Sequence, residues 1–509
     1  MLKRYVSTSN FVVIIFLISV LASESNSQSL SFVEKSDSGL VVDGKLFYPF
    51  GVNCYYLQNL AAYGDTDRVK EVFEEAKRLG VNTIRTWGFF DSSDSANAAV
   101  IQYAPGKFNE SGLRALDFVI AQAGKYSIRL IIPLVNNWDD YGGMNQYVEW
   151  YAGKMNKHIE KISDEKLQQY VAGAGDRKYR KWVSETLTHD DFYKNILIKS
   201  WYSDYVVKIL TRRNTHNGIR YRDDPTVMLW ELANEPRSSD PSGFIVNNWI
   251  EEISGFIKSV DINHLLGTGE EGFDVNSNLP INISDYPPWM FDGSSGISFS
   301  QNIGLHNIDV ASVHLYPESW NLDYSKSTKW ISDHLTLSKY KNKALIIGEV
   351  GVRSDKEIFY EVFFHNISQD STSGVLLWQL SYVGNTYVDQ YSFSCSSNPS
   401  LCKSLEYYSE MFQKKKIIQQ EITEYQVLQN YPNPFNDLTV ITYKVEEPRF
   451  ILLEVYNVLG QKVKTLAEGY LQTGEYKIIL SGSGMSSGVY NVLMRFSGGF
   501  SWIKTVLLK

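Results

Sequence analysis

The sequence predicts a (β/α)₈ barrel followed by a small all-β sandwich. Three observations predict it. Eight apolar runs of strand length alternate with longer segments of helical period. Those runs are apolar throughout, as in a parallel sheet covered on both faces. After about residue 413 the alternation stops, and short strands separated by Gly, Asn and Ser turns take over.

The strand runs are 47–53, 83–89, 129–136, 227–234, 265–269, 310–316, 344–350 and 375–380. Helical segments between them include 67–79, 112–125, 192–213, 246–260 and 357–368; Val69, Val72, Phe73, Ala76 and Leu79 mark one face of the first. An open, doubly wound sheet is the alternative, but no Gly-rich phosphate loop follows the first strand. Two insertions, 138–190 (polar and aromatic) and 272–308 (rich in Asn, Ser, Gly and Pro), follow strands on the face where barrel active sites sit. Loops of that length are expected to be functional or mobile. The tail strands read as 440–445, 450–456, 476–480 and 489–496.

Lys3 and Arg4 precede an apolar run at 11–22 and small polar residues at 23–29, the pattern of an export signal ending near residue 28. That run is too short to span a bilayer comfortably, and no other run approaches the length of a membrane helix. The mature chain is therefore expected to be a soluble monomer without a membrane span. The division expected is a signal peptide at 1–28, a barrel at 29–413, a charged linker at 414–424 and a sandwich at 425–509. A net charge of −8, with no basic run longer than 414–416, argues against a nucleic-acid partner. Aromatic residues make up 14% of the chain, which suits stacking on flat apolar ligand faces, although large cores use aromatics too. Three cysteines are too few for a disulfide framework. Cys54 reads as a buried small hydrophobe. Cys395 and Cys402 share a Ser/Asn/Pro loop, and the sequence leaves open whether they are bridged, because it does not give their Cα separation.

Two segments carry the chemistry. Residues 227–237, VMLWELANEPR, place Glu235 at the C-terminal edge of the fourth strand, with Pro236 ending the pairing. Residues 344–351, ALIIGEVG, place Glu349 at the end of the seventh. Two carboxylates on one rim, one protonated and one ionised, are what hydrolysis of a glycosidic bond needs. Either alone could be a structural ion pair. Glu231 lies about 13 Å deeper on its strand at about 3.3 Å per residue and is set aside. Glu270 and Glu271, after the fifth strand, are the alternative carboxylates. With no metal-spaced His pair and no phosphate loop, neither a metal nor a nucleotide cofactor is expected.

The segments GVNCYYL, VNTIRTWGF, NNWDDYGG, ELANEPR, SVHLYPESW, IIGEVG and LLWQL occur in that order within residues 30–410. Together they resemble glycoside hydrolase family 5, specifically its endo-β-1,4-mannanase subfamily. The resemblance implies retaining hydrolysis within mannan, glucomannan or galactomannan, with Glu235 as acid/base, Glu349 as nucleophile and no cofactor. It implies that Arg85 keeps the nucleophile ionised, that Asn234 meets the sugar 2-hydroxyl, and that Tyr316 touches Glu349. His314 would meet the reacting sugar or the surroundings of Glu235. Trp378 would form the platform beneath the reacting mannose, Trp87 and Trp138 would line further subsites, and Arg237 would contact the leaving-group side. Plainer roles compete: a structural ion pair for Arg85, strand-end ordering for Asn234, and core packing for the tryptophans and His314. An endo-β-glucanase of the same fold and a non-catalytic carbohydrate-binding barrel are the alternative functions; the intact carboxylate pair argues against the second.

The tail motifs YPNPFN, VYNVLGQKV, LQTGEYKI and SSGVYNVLM, running on to Lys509, resemble the C-terminal sorting domain of type IX secretion in certain Gram-negative bacteria. That implies the type IX machinery as partner and a secreted or cell-surface location after export across both membranes. A carbohydrate-binding module is the competing reading, and the lack of an evident aromatic row counts against it.

Overall fold

The structure, a computed structural model, describes residues 30–509 except 37–38, 166–186, 276–278, 280, 370–373, 383, 386, 422–426, 446–448, 459–460 and 497–498. The expected signal peptide lies outside the described residues. Eight strands form a closed parallel barrel: β1 (Phe50–Asn53), β2 (Thr83–Arg85), β3 (Arg129–Pro133), β4 (Val227–Glu231), β5 (Leu265–Gly267), β6 (Val310–Leu315), β7 (Ala344–Val350) and β8 (Gly374–Leu377). Each pairs with its sequence neighbours, and β8 returns to β1 through Val375↔Phe50. Every strand residue is buried, which is why the strands read as unbroken apolar runs. A small antiparallel sheet (Glu34–Ser36, Gly39–Val42, Lys45–Leu46), not anticipated from the sequence, covers the N-terminal end of the barrel. Its Val33 and Leu40 neighbourhood packs on the inner layer of Ile131, Leu229, Ile346 and Leu376.

The strands end earlier than the apolar runs do. β2 stops at Arg85, β3 at Pro133, β4 at Glu231 and β8 at Leu377. The residues beyond them, apart from the partly exposed Trp378, stay buried but leave the ladder, joined by isolated contacts such as the Asn136↔Asn234 bridge. Periodicity cannot distinguish such a turn from more strand. The helix expected over 192–213 is two helices, Asp191–Lys194 and Ile196–Leu210. Asn195 divides them because its side chain accepts from the Leu197 and Ile198 N–H groups at 3.0 and 3.3 Å, the N-cap arrangement that starts a new helix.

Both insertions carry structure of their own. The first contains the helix Gly143–Glu165, and 166–186 lies outside the described residues. The second contains the turns Ile283–Asp285 and Pro288–Met290 and the helix Phe299–Asn302, and it buries Phe273, Met290, Ile297 and Phe299 in the main core.

Residues 414–421 of the expected linker continue the helix Pro399–Glu421. Leu401, Leu405, Tyr408 and Phe412 of that helix are buried, with Phe412 5.4 Å from Phe50. Cys395 and Cys402 are bridged, with Cα atoms 5.6 Å apart, tying the preceding loop to its first turn; Cys54 is buried and free. Among the described residues the tail has seven strands, more than the four expected: β9 (Val427–Tyr431), β10 (Leu438–Val445), β11 (Arg449–Asn457), β12 (Lys462–Leu471), β13 (Gly474–Ser481), β14 (Gly488–Phe496) and β15 (Gly499–Leu507). They form sheets ordered β9-β10-β13 and β12-β11-β14-β15 around Ile441, Tyr443, Leu453, Val455 and Val492. Among the described residues no helix is long and apolar enough to cross a membrane.

Because the helix Pro399–Glu421 runs unbroken, we propose that the severable boundary lies after Glu421. A chain ending there should keep the unfolding midpoint of the barrel within a few degrees. A chain ending before Pro399 should lose several kcal/mol, since each buried Leu, Tyr or Phe contributes about 1.5–3 kcal/mol. Scanning calorimetry of the two truncations checks this; equal midpoints would contradict it.

Candidate active site

The C-terminal strand ends open into a cleft of about 370 Å³ walled by Trp87, Trp138, Arg237, Trp320, Trp378 and Tyr391 among others, with Glu235 and Glu349 at its centre. Glu349 belongs to β7 and points into the mouth of the barrel. Glu235 stands four residues past the end of β4, in a left-handed conformation with φ +50°, which a non-glycine residue adopts only at some cost. It is held there by its own N–H, which donates to Gly269 O at 2.8 Å, and by Asn234 N–H, which donates to Val135 O at 2.7 Å. Gly269 must be glycine: a Cβ there would lie 1.9 Å from Ala233 O.

Beneath the pair lies Arg85, the last residue of β2, with a fully buried side chain. Its Nε donates to Glu231 at 2.8 Å, Nη1 to Glu349 at 2.6 Å and to Asn53 at 3.4 Å, and Nη2 to Asn234 Oδ1 at 2.8 Å. Glu231, set aside in the sequence as a catalytic carboxylate because of its depth, is the second anchor of this guanidinium. Burial alone would lower the Arg85 pKa, but Glu231 and Glu349 outweigh it and raise it. Asn234 gives one amide hydrogen to Asn136 Oδ1 at 3.0 Å, leaving the other available to a ligand.

Above this layer, His314 Nδ1 stands 2.6 Å from Glu235 Oε1 and 3.6 Å from Glu349 Oε2. Tyr316 donates its hydroxyl to Glu349, and Trp138 donates its indole N–H to Glu235 at 2.6 Å. One oxygen of each carboxylate and a His314 nitrogen all lie within 4.8 Å of one another. Each of the three groups shifts the protonation of the other two. Burial pushes Glu235 up, but the His314 hydrogen bond and charge, then Trp138 and Arg237, hold it below the ordinary carboxyl range. Burial also pushes Glu349 up, and with the Glu235 charge it outweighs His314, Arg85 and Tyr316, so Glu349 lies above that range. His314 is raised, because the two carboxylates overcome its burial. The lowering at Glu235 therefore depends on a charged imidazole, whereas the Arg85 charge at Glu349 is permanent. Passing one proton from His314 Nδ1 to Glu235 yields a neutral acid beside a carboxylate paired with a guanidinium.

The alternative carboxylates have other partners. Arg237 holds Glu271 through two 2.7 Å bonds and lies over the Trp138 and Phe273 rings at 5.2 and 5.1 Å. Glu271, pushed up to about 7 by burial and the Glu235 charge, lines the cleft only as half of that pair. Glu270, pushed up to about 8 by burial, accepts from Thr268 and Asn302. Trp138 is 41% exposed and Trp87 6%. Trp87 is chiefly wall, in contact with Tyr55, Phe89 and Tyr141. Trp378, one residue past β8, lies parallel to Tyr55, with centroids 5.5 Å apart. Sequence reasoning missed Asn53, Glu231, Tyr55 and Asp389. Only Asn53, ending the strand run in GVNCYYL, left a readable signal.

A parallel barrel with two buried carboxylates converging in an aromatic cleft defines the glycoside-hydrolase class. Residues 30–429 match the family described as GH family 5 beta-mannosidase-like, and the chain belongs to that family. Among curated relatives, mannan endo-1,4-beta-mannosidase 2 of Oryza sativa subsp. japonica is 33% identical over 410 residues, covering 76% of this chain and 85% of its own length. Mannan endo-1,4-beta-mannosidase 5 of Solanum lycopersicum is 34% identical over 404 residues, covering 75% and 89%. The crystal structure of the endo-1,4-beta-mannanase from Rhizomucor miehei superposes with a TM-score of 0.62 at 31% identity, over 75% of this chain and 100% of its own. Residues 429–509 match the secretion system C-terminal sorting domain. The protein is a glycoside hydrolase exported by type IX secretion to the cell surface or beyond.

Arg85→Met should cost about 3–5 kcal/mol of stability, the usual effect of breaking a buried ion pair. Losing a permanent cation raises the Glu349 pKa further, so the acidic limb of the pH profile of kcat/KM should move to higher pH. Denaturant titration and a pH–rate profile check both; an unmoved acidic limb would contradict the pairing.

Proposed function

We propose that the protein is an endo-acting, retaining β-1,4-mannanase. The observation that carries this reading is the approach of Glu235 and Glu349 oxygens to within 4.8 Å. Retaining glycosidases hold their carboxyls about 5–5.5 Å apart, whereas inverting enzymes need about 6.5–9.5 Å to admit a water. Glu349 attacks the anomeric carbon while Glu235 donates its proton to the departing oxygen, giving a glycosyl-enzyme. Glu235 then takes a proton from water, whose oxygen displaces Glu349. Arg85 and Tyr316 stabilise the Glu349 carboxylate as it leaves, and the second Asn234 amide hydrogen serves the 2-hydroxyl. Trp378 carries the reacting sugar ring; Trp138 and Arg237 carry the leaving chain. The cleft has walls on both sides of the carboxylates, which supports binding within a polymer rather than only at its end. The relatives named as mannan endo-mannosidases support mannan as the polymer.

Glu235→Gln and Glu349→Gln should each lower turnover on linear mannan by several orders of magnitude while folding is kept. An aryl mannoside with a good leaving group should partly spare the first step in Glu235→Gln and not in Glu349→Gln. Near-normal activity of both variants would overturn the assignment. Reducing-end release should follow the order mannan or glucomannan well above carboxymethyl cellulose; the reverse order would make the enzyme a glucanase.

A further inference from the structure

Eleven residues beyond Trp378, the loop after β8 returns to the cleft and presents Asp389. The two oxygens of this carboxylate are used differently. Oδ1 closes the loop on itself, accepting from the Tyr391 and Ser392 N–H groups at 2.8 and 2.9 Å and from the Ser392 hydroxyl at 3.0 Å. The Asp389 N–H donates to Ser392 Oγ at 2.9 Å in return. Oδ2 accepts the Trp378 indole N–H at 2.7 Å and lies 3.5 Å from Gln379 Nε2.

The loop is itself fixed from behind. Lys356 donates to Gln390 O at 2.9 Å, the Phe393 N–H donates to Gln379 O at 2.9 Å, and the Cys395–Cys402 bridge follows. On its other side the Trp378 ring lies against Tyr55, whose hydroxyl donates to Tyr387 O of the same loop at 3.2 Å. An indole with one ring face toward a ligand can still slide in its own plane, and a hydrogen bond from its N–H to a fixed carboxylate removes that freedom. A charged acceptor makes the bond shorter and stronger than a neutral one would.

We propose that Asp389 is the positioning residue for Trp378, holding the indole in register with Glu235 and Glu349 through the second oxygen of a carboxylate whose first oxygen is locked in a turn. This rests on the reading of Trp378 as the platform for the reacting sugar.

The test uses the full chain. Asp389→Asn is isosteric, and its single carbonyl oxygen is claimed by the three donors of the turn. Its amide nitrogen then faces the indole N–H, donor against donor. On manno-oligosaccharides kcat should fall roughly tenfold to a hundredfold, the scale of a misplacement near 1 Å, with KM little changed because platform contacts act in the transition state. Trp378→Phe removes the N–H and keeps a ring. In that background Asp389→Asn should cost less than about twofold more, because contacting residues fail additivity. Ser392→Ala, which weakens the turn and leaves Oδ2 on the indole, should lower the melting midpoint without the fall in kcat. It gives the comparison if Asp389→Asn is also less stable. Wild-type kcat in Asp389→Asn, or a full multiplicative loss in the double variant, would overturn the proposal. Wild-type kcat in both Trp378→Phe and Trp378→Ala would instead overturn the platform reading beneath it.

Discussion

One buried guanidinium governs the site. Arg85 is withdrawn from solvent, an arrangement tolerable only because each of its three nitrogens finds an acceptor. Those acceptors come from β1 (Asn53), β4 (Glu231), the turn after β4 (Asn234) and β7 (Glu349). The ends of widely separated strands are therefore tied to one planar group, and the planarity of that group fixes where Glu349 points. Above it, the Glu349 and Glu235 carboxylates overcome the burial of His314 and raise its pKa, and His314 Nδ1 stands 2.6 Å from Glu235.

The aromatic walls are arranged around that electrostatic floor. On the Glu235 side, Trp138 reaches the carboxylate with its N–H and Arg237 covers its ring, while Glu271 occupies the Arg237 charge. On the other side Trp378 is flanked by Tyr55 and tethered to Asp389. In both walls the polar edge of the indole is satisfied by a carboxylate. The Arg237 charge is already occupied by Glu271, so this wall suits a neutral polysaccharide better than a charged one.

Much of this was legible in the sequence, for a physical reason. Parallel strands covered on both faces must be apolar throughout, so all eight were visible, and the abrupt polar ends of VMLWELANEPR and ALIIGEVG marked where the two glutamates leave the core. The alternation of His314 and Tyr316 placed both on one strand face, and the structure sets them against Glu235 and Glu349 respectively. The strand ends were not legible, because residues that turn inward over the barrel are as buried and apolar as those that stay in the ladder. The pairing of Glu231 with Arg85 was not legible, because depth along a strand excludes contact with a ligand and says nothing of contact with a long arginine. Asp389 was invisible because its partnership with Trp378 depends on a loop conformation set by its other oxygen. The β12 strand, KVKTLAEGYL, is an edge strand, and its exposed polar residues hide the pattern that the inner tail strands show.

The central proposal is that Glu349 attacks directly, which the approach of Glu235 and Glu349 oxygens to within 4.8 Å supports. Proton NMR of the anomeric region during the first minutes of mannopentaose hydrolysis tests this directly. The account predicts that new reducing ends appear in the β configuration and convert to the α form only as mutarotation proceeds. New ends appearing first as the α anomer would contradict it.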